Sequence, residues 1–162
     1  MNCPNCGAPM HLVAGRDYFS CDYCATFHFA AAAPTRADGV RVFRQLSGLH
    51  CPICDVELHE AALEGHRVLH CERCNGVLTS NDEFLPIVRK MRSKSKPAER
   101  APTAIQPEEL KRQVDCPHCN RTMDTHPYYG PGAVVVDTCA RCQLIWLDKG
   151  ELNIIRTAPG RR

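Results

Sequence analysis

Apolar residues occur in short runs separated by turn residues over much of the chain, a pattern typical of β-hairpins. Three returning strands read YFS at 18–20, HRVLH at 66–70 and AVVVDT at 133–138. Turn sequences precede them, namely AGRD, LEGH and PYYGPG. We therefore expect three small β units rather than one sizeable domain.

Two later stretches change to the spacing of an amphipathic helix, NDEFLPIVRKMR and KGELNIIRTA. Ser80 and Asp148 each lie three residues before a glutamate, at Glu83 and Glu151, which is the spacing of a capping box. Each helix is therefore expected to begin there and to bury its apolar stripe. The stripes comprise Phe84, Ile87, Val88 and Met91 in the first helix, and Leu152 and Ile155 in the second.

The 12 cysteines repeat with the hairpins, in six C-x-x-C pairs. Two pairs flank each hairpin, and 14, 16 and 19 residues separate the inner cysteines, close to the spacing of four-cysteine zinc sites. Every leading pair reads C-P-x-C, in which proline favours a tight turn after the first ligand. The three sets are Cys3, Cys6, Cys21 and Cys24; Cys51, Cys54, Cys71 and Cys74; Cys116, Cys119, Cys139 and Cys142.

Four thiolates complete a tetrahedral zinc site and leave no open catalytic position. We expect three Zn²⁺ ions, one in each set, and a small metal-stabilised α+β fold of three tandem zinc ribbons, the second and third each followed by a short helix. Three other roles for the cysteines stay open, namely iron in a rubredoxin-like site, a thiol redox pair and disulfides.

The N-terminal residues lack the basic and apolar segments of a secretory signal, and no apolar run approaches the ~18 residues of a membrane span. We therefore expect a cytoplasmic protein with reduced cysteines and no membrane partner. The formal net charge of +2 counts the cysteines as neutral. Since zinc ligands are thiolates, the metal-loaded protein is expected to be mildly acidic, and its total charge does not favour nucleic acid.

The third unit, CPHC…CARCQLIWLDKGEL, resembles the zinc ribbons of a widespread bacterial family named for their similarity to the ribbon of transcription factor IIB. Trp146, Asp148, Gly150 and Glu151 match the family's Trp-Leu-Asp and Gly-Glu-Leu segments, while Gln143 departs from the usual glycine. The second unit shares the resemblance, with Leu78 in place of Trp146. The resemblance implies the ribbon fold and a link to transcription. Trp146 is expected to join strand to helix, with exposure as a recognition residue as the alternative.

These features divide the chain into five parts. They are zinc ribbon 1 at 1–33, a connector with a strand at VRVF at 34–49, zinc ribbon 2 with its helix at 50–92, a basic Pro/Ala linker at 93–113, and zinc ribbon 3 with its helix at 114–162.

Two surfaces are candidates for contacts with a partner. Residues 89–114 carry eight basic and three acidic side chains, so they could bind phosphate, although a solvated helix end explains them equally. Tyr128 and Tyr129 lie among turn formers, where tyrosine often anchors a protein interface. The candidate binding residues are Tyr128, Tyr129, Trp146, Arg89, Lys90, Arg92, Lys94 and Lys96.

Histidines adjoin the cysteines at 50 and 70 and lie within a pair at 118, but four cysteines already complete each site. No catalytic triad, carboxylate pair or phosphate loop is recognisable, so we expect the protein not to be an enzyme. The sequence favours a zinc-ribbon adaptor or regulator that contacts a protein partner, with transcription as its setting. Nucleic-acid binding through 89–112 and iron or thiol redox chemistry are the alternatives; neither the partner nor the oligomeric state follows from the sequence.

Overall fold

The computed structural model describes residues 1–16, 18–29, 35–99 and 103–160, in which ten β-strands and two α-helices lie. The predicted boundary between residues 33 and 34 lies outside these ranges, as do residue 17 of the first hairpin turn and residues 100–102 of the linker. The five-part division of the chain therefore stays a prediction.

The first unit is a three-stranded antiparallel sheet in the order β1-β2-β3. Its strands are β1 His11–Leu12, β2 Tyr18–Ser20 and β3 Phe27–Phe29. The Tyr18 ring stacks on Phe43 of the connector with 4.4 Å between ring centroids, and Phe27 meets the same ring edge-on. These aromatic contacts attach the first unit to the rest of the fold.

The second and third units share one seven-stranded antiparallel sheet in the order β4-β5-β6-β7-β10-β9-β8. The strands are β4 Arg41–His50, β5 Glu57–Leu63, β6 His66–His70, β7 Val77–Ser80, β8 Asp124–Pro127, β9 Val135–Cys139 and β10 Leu144–Leu147. The connector strand expected at VRVF is the beginning of β4, which is an edge strand. The returning strands expected at 66–70 and 133–138 correspond to β6 and β9.

Pairing of β7 with β10 joins the two units. Leu78 lies opposite Trp146, and Val77 lies opposite Leu147. Each of these strands follows the last cysteine pair of its unit, so equivalent strands meet about a local twofold axis. The two ribbons therefore form a single folded body.

The helices α1 Asn81–Lys94 and α2 Glu151–Thr157 follow β7 and β10 and cover one face of the sheet. The predicted apolar stripes are buried there, with Phe84, Ile87, Leu152 and Ile155 each at most 4% exposed. No helix among the described residues is long and apolar enough to cross a bilayer.

At the start of each helix, the structure contains one of the two hydrogen bonds of the predicted capping box. The backbone N–H of Glu83 donates to Ser80 Oγ at 3.3 Å, while the Glu83 carboxylate is hydrogen-bonded to Nδ1 of His66. In the third unit the carboxylate of Glu151 accepts from the backbone N–H of Asp148 at 2.8 Å. The side chain of Asp148 does not cap α2, because it is bound to Arg112 and Trp146.

Asp38 of the connector takes the missing capping role for α2. Its carboxylate oxygens accept from the backbone N–H groups of Gly150 at 2.8 Å and of Asn153 at 3.0 Å. A carboxylate at a helix N-terminus satisfies unpaired amides and suits the helix dipole. This contact holds the connector against the third unit.

Trp146 lies on the sheet face opposite the helices, rather than between strand and helix as predicted. Its side chain is 0% exposed, and it packs in a cluster with Leu58, Leu78 and cysteines of the second and third units. A Cβ atom at Gly76 would lie 2.1 Å from Cζ2 of the indole. Gly76 therefore provides the space that the ring of the other unit occupies.

We expect Gly76→Ala to lower the free energy of unfolding by about 1–3 kcal/mol, because the added methyl group overlaps the indole. The same substitution in a Trp146→Leu background should cost much less. A double-mutant cycle by urea denaturation of the zinc-loaded protein measures the coupling, expected at about 0.5–3 kcal/mol. Additive costs would contradict the contact between Gly76 and Trp146.

Candidate metal centres

Each predicted set of four cysteines converges on one point. Within each set the four Sγ atoms lie within 4.8 Å of one another. Neighbouring sulfurs are 3.5 Å apart in the first set, 3.6 Å in the second and 3.7 Å in the third. A tetrahedron with Zn–S bonds of about 2.3 Å has edges of roughly 3.8 Å. The three sets are therefore suited to bind Zn²⁺, one ion each.

Local turns position the sulfurs. In the second unit the N–H of Asp55 donates to the carbonyl of Cys51 at 2.9 Å, and the N–H of Cys54 donates to Cys51 Sγ at 3.3 Å. The third unit repeats the contact to sulfur, with 3.4 Å between Cys142 N and Cys139 Sγ. Such donors stabilise the thiolate form that binds metal.

The residue after the second cysteine of every pair has a left-handed backbone, which sequence reasoning missed. Glycine, asparagine and aspartate tolerate this conformation best. Four of the six positions carry one of these residues, and this enrichment is the sequence signal that could have revealed the turn. Gln143 adopts the same conformation, with φ 55. The six residues are Gly7, Ala25, Asp55, Asn75, Asn120 and Gln143.

An apolar side chain packs against the cysteines of each site. Met10, Leu58 and Met123, each four residues after a second cysteine, are 8%, 0% and 4% exposed and pack with the cysteines of their unit. The first cysteine of every pair is buried, whereas Cys6 is exposed. Access to solvent is therefore greatest at the first site.

Histidine takes no place in the clusters of ligand atoms that the described residues form. His118 lies beside one, with Nδ1 3.4 Å from Cys142 Sγ. His70 is 0% exposed, and burial lowers its pKa, so the neutral imidazole is favoured. Both agree with the expectation that histidines here do not replace cysteine ligands.

An ionic network around the buried carboxylate of Asp137 lies beside the third site, and sequence reasoning did not identify it. The guanidinium of Arg112 binds both Asp137, which is 0% exposed, and Asp148. Burial alone would lower the pKa of Arg112, but the hydrogen bonds to the two carboxylates raise it above its usual value. Indole Nε1 of Trp146 donates to Asp148 Oδ1 at 3.1 Å. The network ties the end of the predicted linker to β9, β10 and the start of α2.

The two candidate tyrosines at the tip of the third hairpin differ in exposure. Tyr128 packs edge-on against Phe84, with 5.4 Å between ring centroids. Tyr129 is 90% exposed, and its ring stacks on His126 at 5.5 Å. Trp146, a third candidate, is fully buried and therefore not available to a partner.

Three of the five basic candidates have partners within the protein. Arg92 is 4% exposed and donates to the carbonyls of Ile155 and Ala158 at the end of α2. Lys90 and Lys94 both contact Glu64, at its carbonyl and its carboxylate respectively. Arg89 and Lys96 are exposed. Part of the positive charge on the described residues of this segment is thus engaged within the protein.

We expect the protein to bind three zinc ions and to unfold in strong chelator, since a structural zinc supplies roughly 10 kcal/mol or more of folding free energy. The near-UV circular dichroism signal of Trp146 should distinguish loss of the third metal site from loss of the first. Cys139→Ser should abolish the signal because Cys139 packs in the cluster of Trp146, whereas Cys21→Ser in the first unit should leave it intact. A fold that persists in chelator would contradict the structural role of the metal.

The pH dependence of stability should report on Glu151. Burial raises its pKa to about 8 from the usual 4.5. Because the folded state holds this proton more tightly, its contribution to stability is present below pH 4.5 and is lost as the pH rises toward 8. Between about pH 6.5 and 8.5, where zinc stays bound, urea denaturation should show stability falling by about 2 kcal/mol. Glu151→Gln should flatten this profile; an unchanged slope would exclude Glu151 as its source.

Comparison with protein families agrees with the geometry of the third site. Residues 115–157 match a family model described as a transcription factor zinc-finger. No match was found among curated proteins or solved structures. For the second unit, membership of the same family stays a prediction. The third unit, with its four cysteines, β10 and α2, is therefore similar to a zinc ribbon of the transcription factor IIB type.

Proposed function

We propose that the protein is a non-enzymatic zinc-ribbon adaptor or regulator that works through protein–protein contacts, with transcription as its setting. The family of the third ribbon supports the setting. Four cysteines at each site support a structural role for the metal, because no ligand position remains for water or substrate.

The observation that carries the proposal is the exposure of Tyr129. Its ring is 90% exposed, yet its position is defined by the stacking on His126 and by Tyr128, which packs on Phe84. A preorganised aromatic ring loses little entropy when a partner covers it, and tyrosine is enriched among the residues that dominate interface energies. The tip of the third hairpin therefore favours a protein contact.

The alternatives have less support. Base stacking requires aromatic residues, which residues 89–112 lack, and four of the basic side chains in this segment, Lys90, Arg92, Lys94 and Arg112, bind within the protein. Thiol redox chemistry competes with zinc for the same cysteines, and sulfur spacing in all three sets suits a closed tetrahedron.

We expect Tyr129→Ala to reduce capture of the partner from native lysate at least about tenfold, since loss of an interface anchor costs 2 kcal/mol or more. Tyr23→Ala is the matched control, because Tyr23 is 84% exposed but lies in the first unit. Quantitative affinity capture with and without nuclease measures both. Retained capture by Tyr129→Ala, or loss of capture after nuclease, would contradict the proposal.

A further inference from the structure

A pocket of about 290 Å³ lies where the first unit meets the second. Strand β3 and the residue before it form one wall, and the start of β4, the turn between β5 and β6, and the second half of α1 form the others. Junctions between folded units are frequent ligand sites, and this volume suits a small molecule rather than a peptide. The lining includes Thr26, Phe29, Arg41, Glu64, Gly65 and Lys90.

Close packing fixes the wall between the first unit and the β5–β6 turn. The N–H of Phe27 donates to the carbonyl of Gly65 at 2.8 Å. A Cβ atom at Gly65 would lie 3.0 Å from Cγ2 of Thr26 and 3.2 Å from the carbonyl oxygen of Phe27, and the φ of Gly65 is +88°. Only glycine allows this approach without strain. Main-chain contacts therefore hold this side of the pocket in place before a ligand enters.

The same turn positions the ammonium group of Lys90. Its Nζ donates to the carbonyl oxygen of Glu64 at 2.8 Å and lies 3.8 Å from the place of a Cβ atom at Gly65. An ammonium group has three N–H donors, and this bond uses one of them. The carboxylate of Glu64 pairs with Lys94 instead. The positive charge of Lys90 is therefore held at the pocket but not neutralised by the turn.

Arg41 brings a second positive charge to the pocket. Its guanidinium lies 4.9 Å from the centroid of the Phe29 ring, a cation–π contact that holds the side chain in place. Such a contact leaves the N–H groups at the edge of the guanidinium able to donate. Among the described residues, no carboxylate forms an ion pair with Arg41. Its charge is therefore also available to a ligand.

The charges of the lining favour an anion. Arg41, Lys90 and Lys94 stand against one carboxylate, that of Glu64, which Lys94 already neutralises. Two positive charges are left over in a pocket of small volume. A phosphate group carries a charge of about −1.5 to −2 near neutral pH and has several acceptor oxygens. A single phosphate group therefore balances the charge of Arg41 and Lys90.

The first metal site determines the end of the pocket at which the anion is expected. Thr26 separates this site from the pocket, because its hydroxyl oxygen lies 3.1 Å from Cys24 Sγ while its methyl group faces Gly65. Thiolates at the metal oppose a second negative charge nearby. The anion is therefore expected beside Lys90 and Arg41 rather than beside Thr26.

We propose that this pocket binds a small ligand through a phosphate group, held by the ammonium group of Lys90 and the guanidinium of Arg41. Both residues are half-buried. Free phosphate and the phosphate monoester of a small molecule offer the same chemistry to these two groups. A ligand here contacts the first unit, β4 and α1, so it stabilises the docking of the first unit. The site is independent of Tyr129, which lies in the third unit.

Inorganic phosphate and glycerol 3-phosphate are the two probes. Each is titrated into the zinc-loaded full chain at constant ionic strength and followed by two-dimensional ¹H–¹⁵N NMR. We expect saturable shifts centred on the amides of Phe27, Arg41, Gly65 and Lys90, and much weaker shifts with chloride or acetate, which carry a single charge. Tighter binding of one probe identifies free phosphate or a phosphorylated small molecule as the kind of ligand. No saturable shifts with either probe, or equal shifts with acetate, would overturn the proposal.

Arg41→Gln and Lys90→Gln should each raise the dissociation constant of the bound probe at least about tenfold, because each removes a charged hydrogen bond. Arg44→Gln on β4 and Arg89→Gln on α1 are the matched controls, since they remove the same charge from exposed neighbours outside the lining. The controls should change binding by less than about twofold.

Equal weakening by the controls would show unspecific attraction and overturn the site. Amide spectra away from the pocket verify that each variant is folded. Lys90→Gln also removes the bond to Glu64, whereas Arg41→Gln removes no ion pair among the described residues, so unchanged binding in Arg41→Gln alone would overturn the proposal. The capture experiment with Tyr129→Ala does not involve this pocket, so either proposal can fail while the other stands.

Discussion

Convergence of four thiolates on one metal is the interaction on which the rest of the structure depends. The strands of the first unit have only two or three residues each, and its metal-proximal core is Met10 with two buried cysteines. So little apolar area cannot offset the entropy of ordering the chain. The metal supplies the missing free energy and sets the two ends of each hairpin in register.

Pairing between β7 and β10 converts two of these units into a larger body. It places equivalent strands beside each other, so each ribbon buries a surface that it could not bury alone. The pairing is not fully symmetric, because Trp146 of one unit requires Gly76 of the other. On the side of the third unit, Asp148 also joins the indole to the ionic network.

Much of the candidate site could be predicted, because it depends on local spacing. The cysteine sets, the apolar residues below them and the start of the first helix at Ser80 all involve short-range geometry. The predicted roles of Asp148 and Trp146 were less accurate. The position of Asp148, three residues before Glu151, predicts a helix cap, but Arg112, distant in the chain, competes for its carboxylate. The sequence of its own unit predicts that Trp146 joins strand to helix, whereas the ring packs against Gly76 of the other unit.

The sequence by itself determined the three metal sites, the hairpins and the helical stripes, since each follows from periodicity or ligand spacing within one unit. Only the tertiary structure decided that the second and third ribbons share a sheet, that Arg92 is buried at the end of α2, and that Asp38 caps that helix. These contacts join residues far apart in the chain, and their energies depend on packing between units. No local pattern in one sequence records which strand edges meet or which units dock, so the pocket between the first unit, the β5–β6 turn and α1 becomes visible only after these parts have packed together.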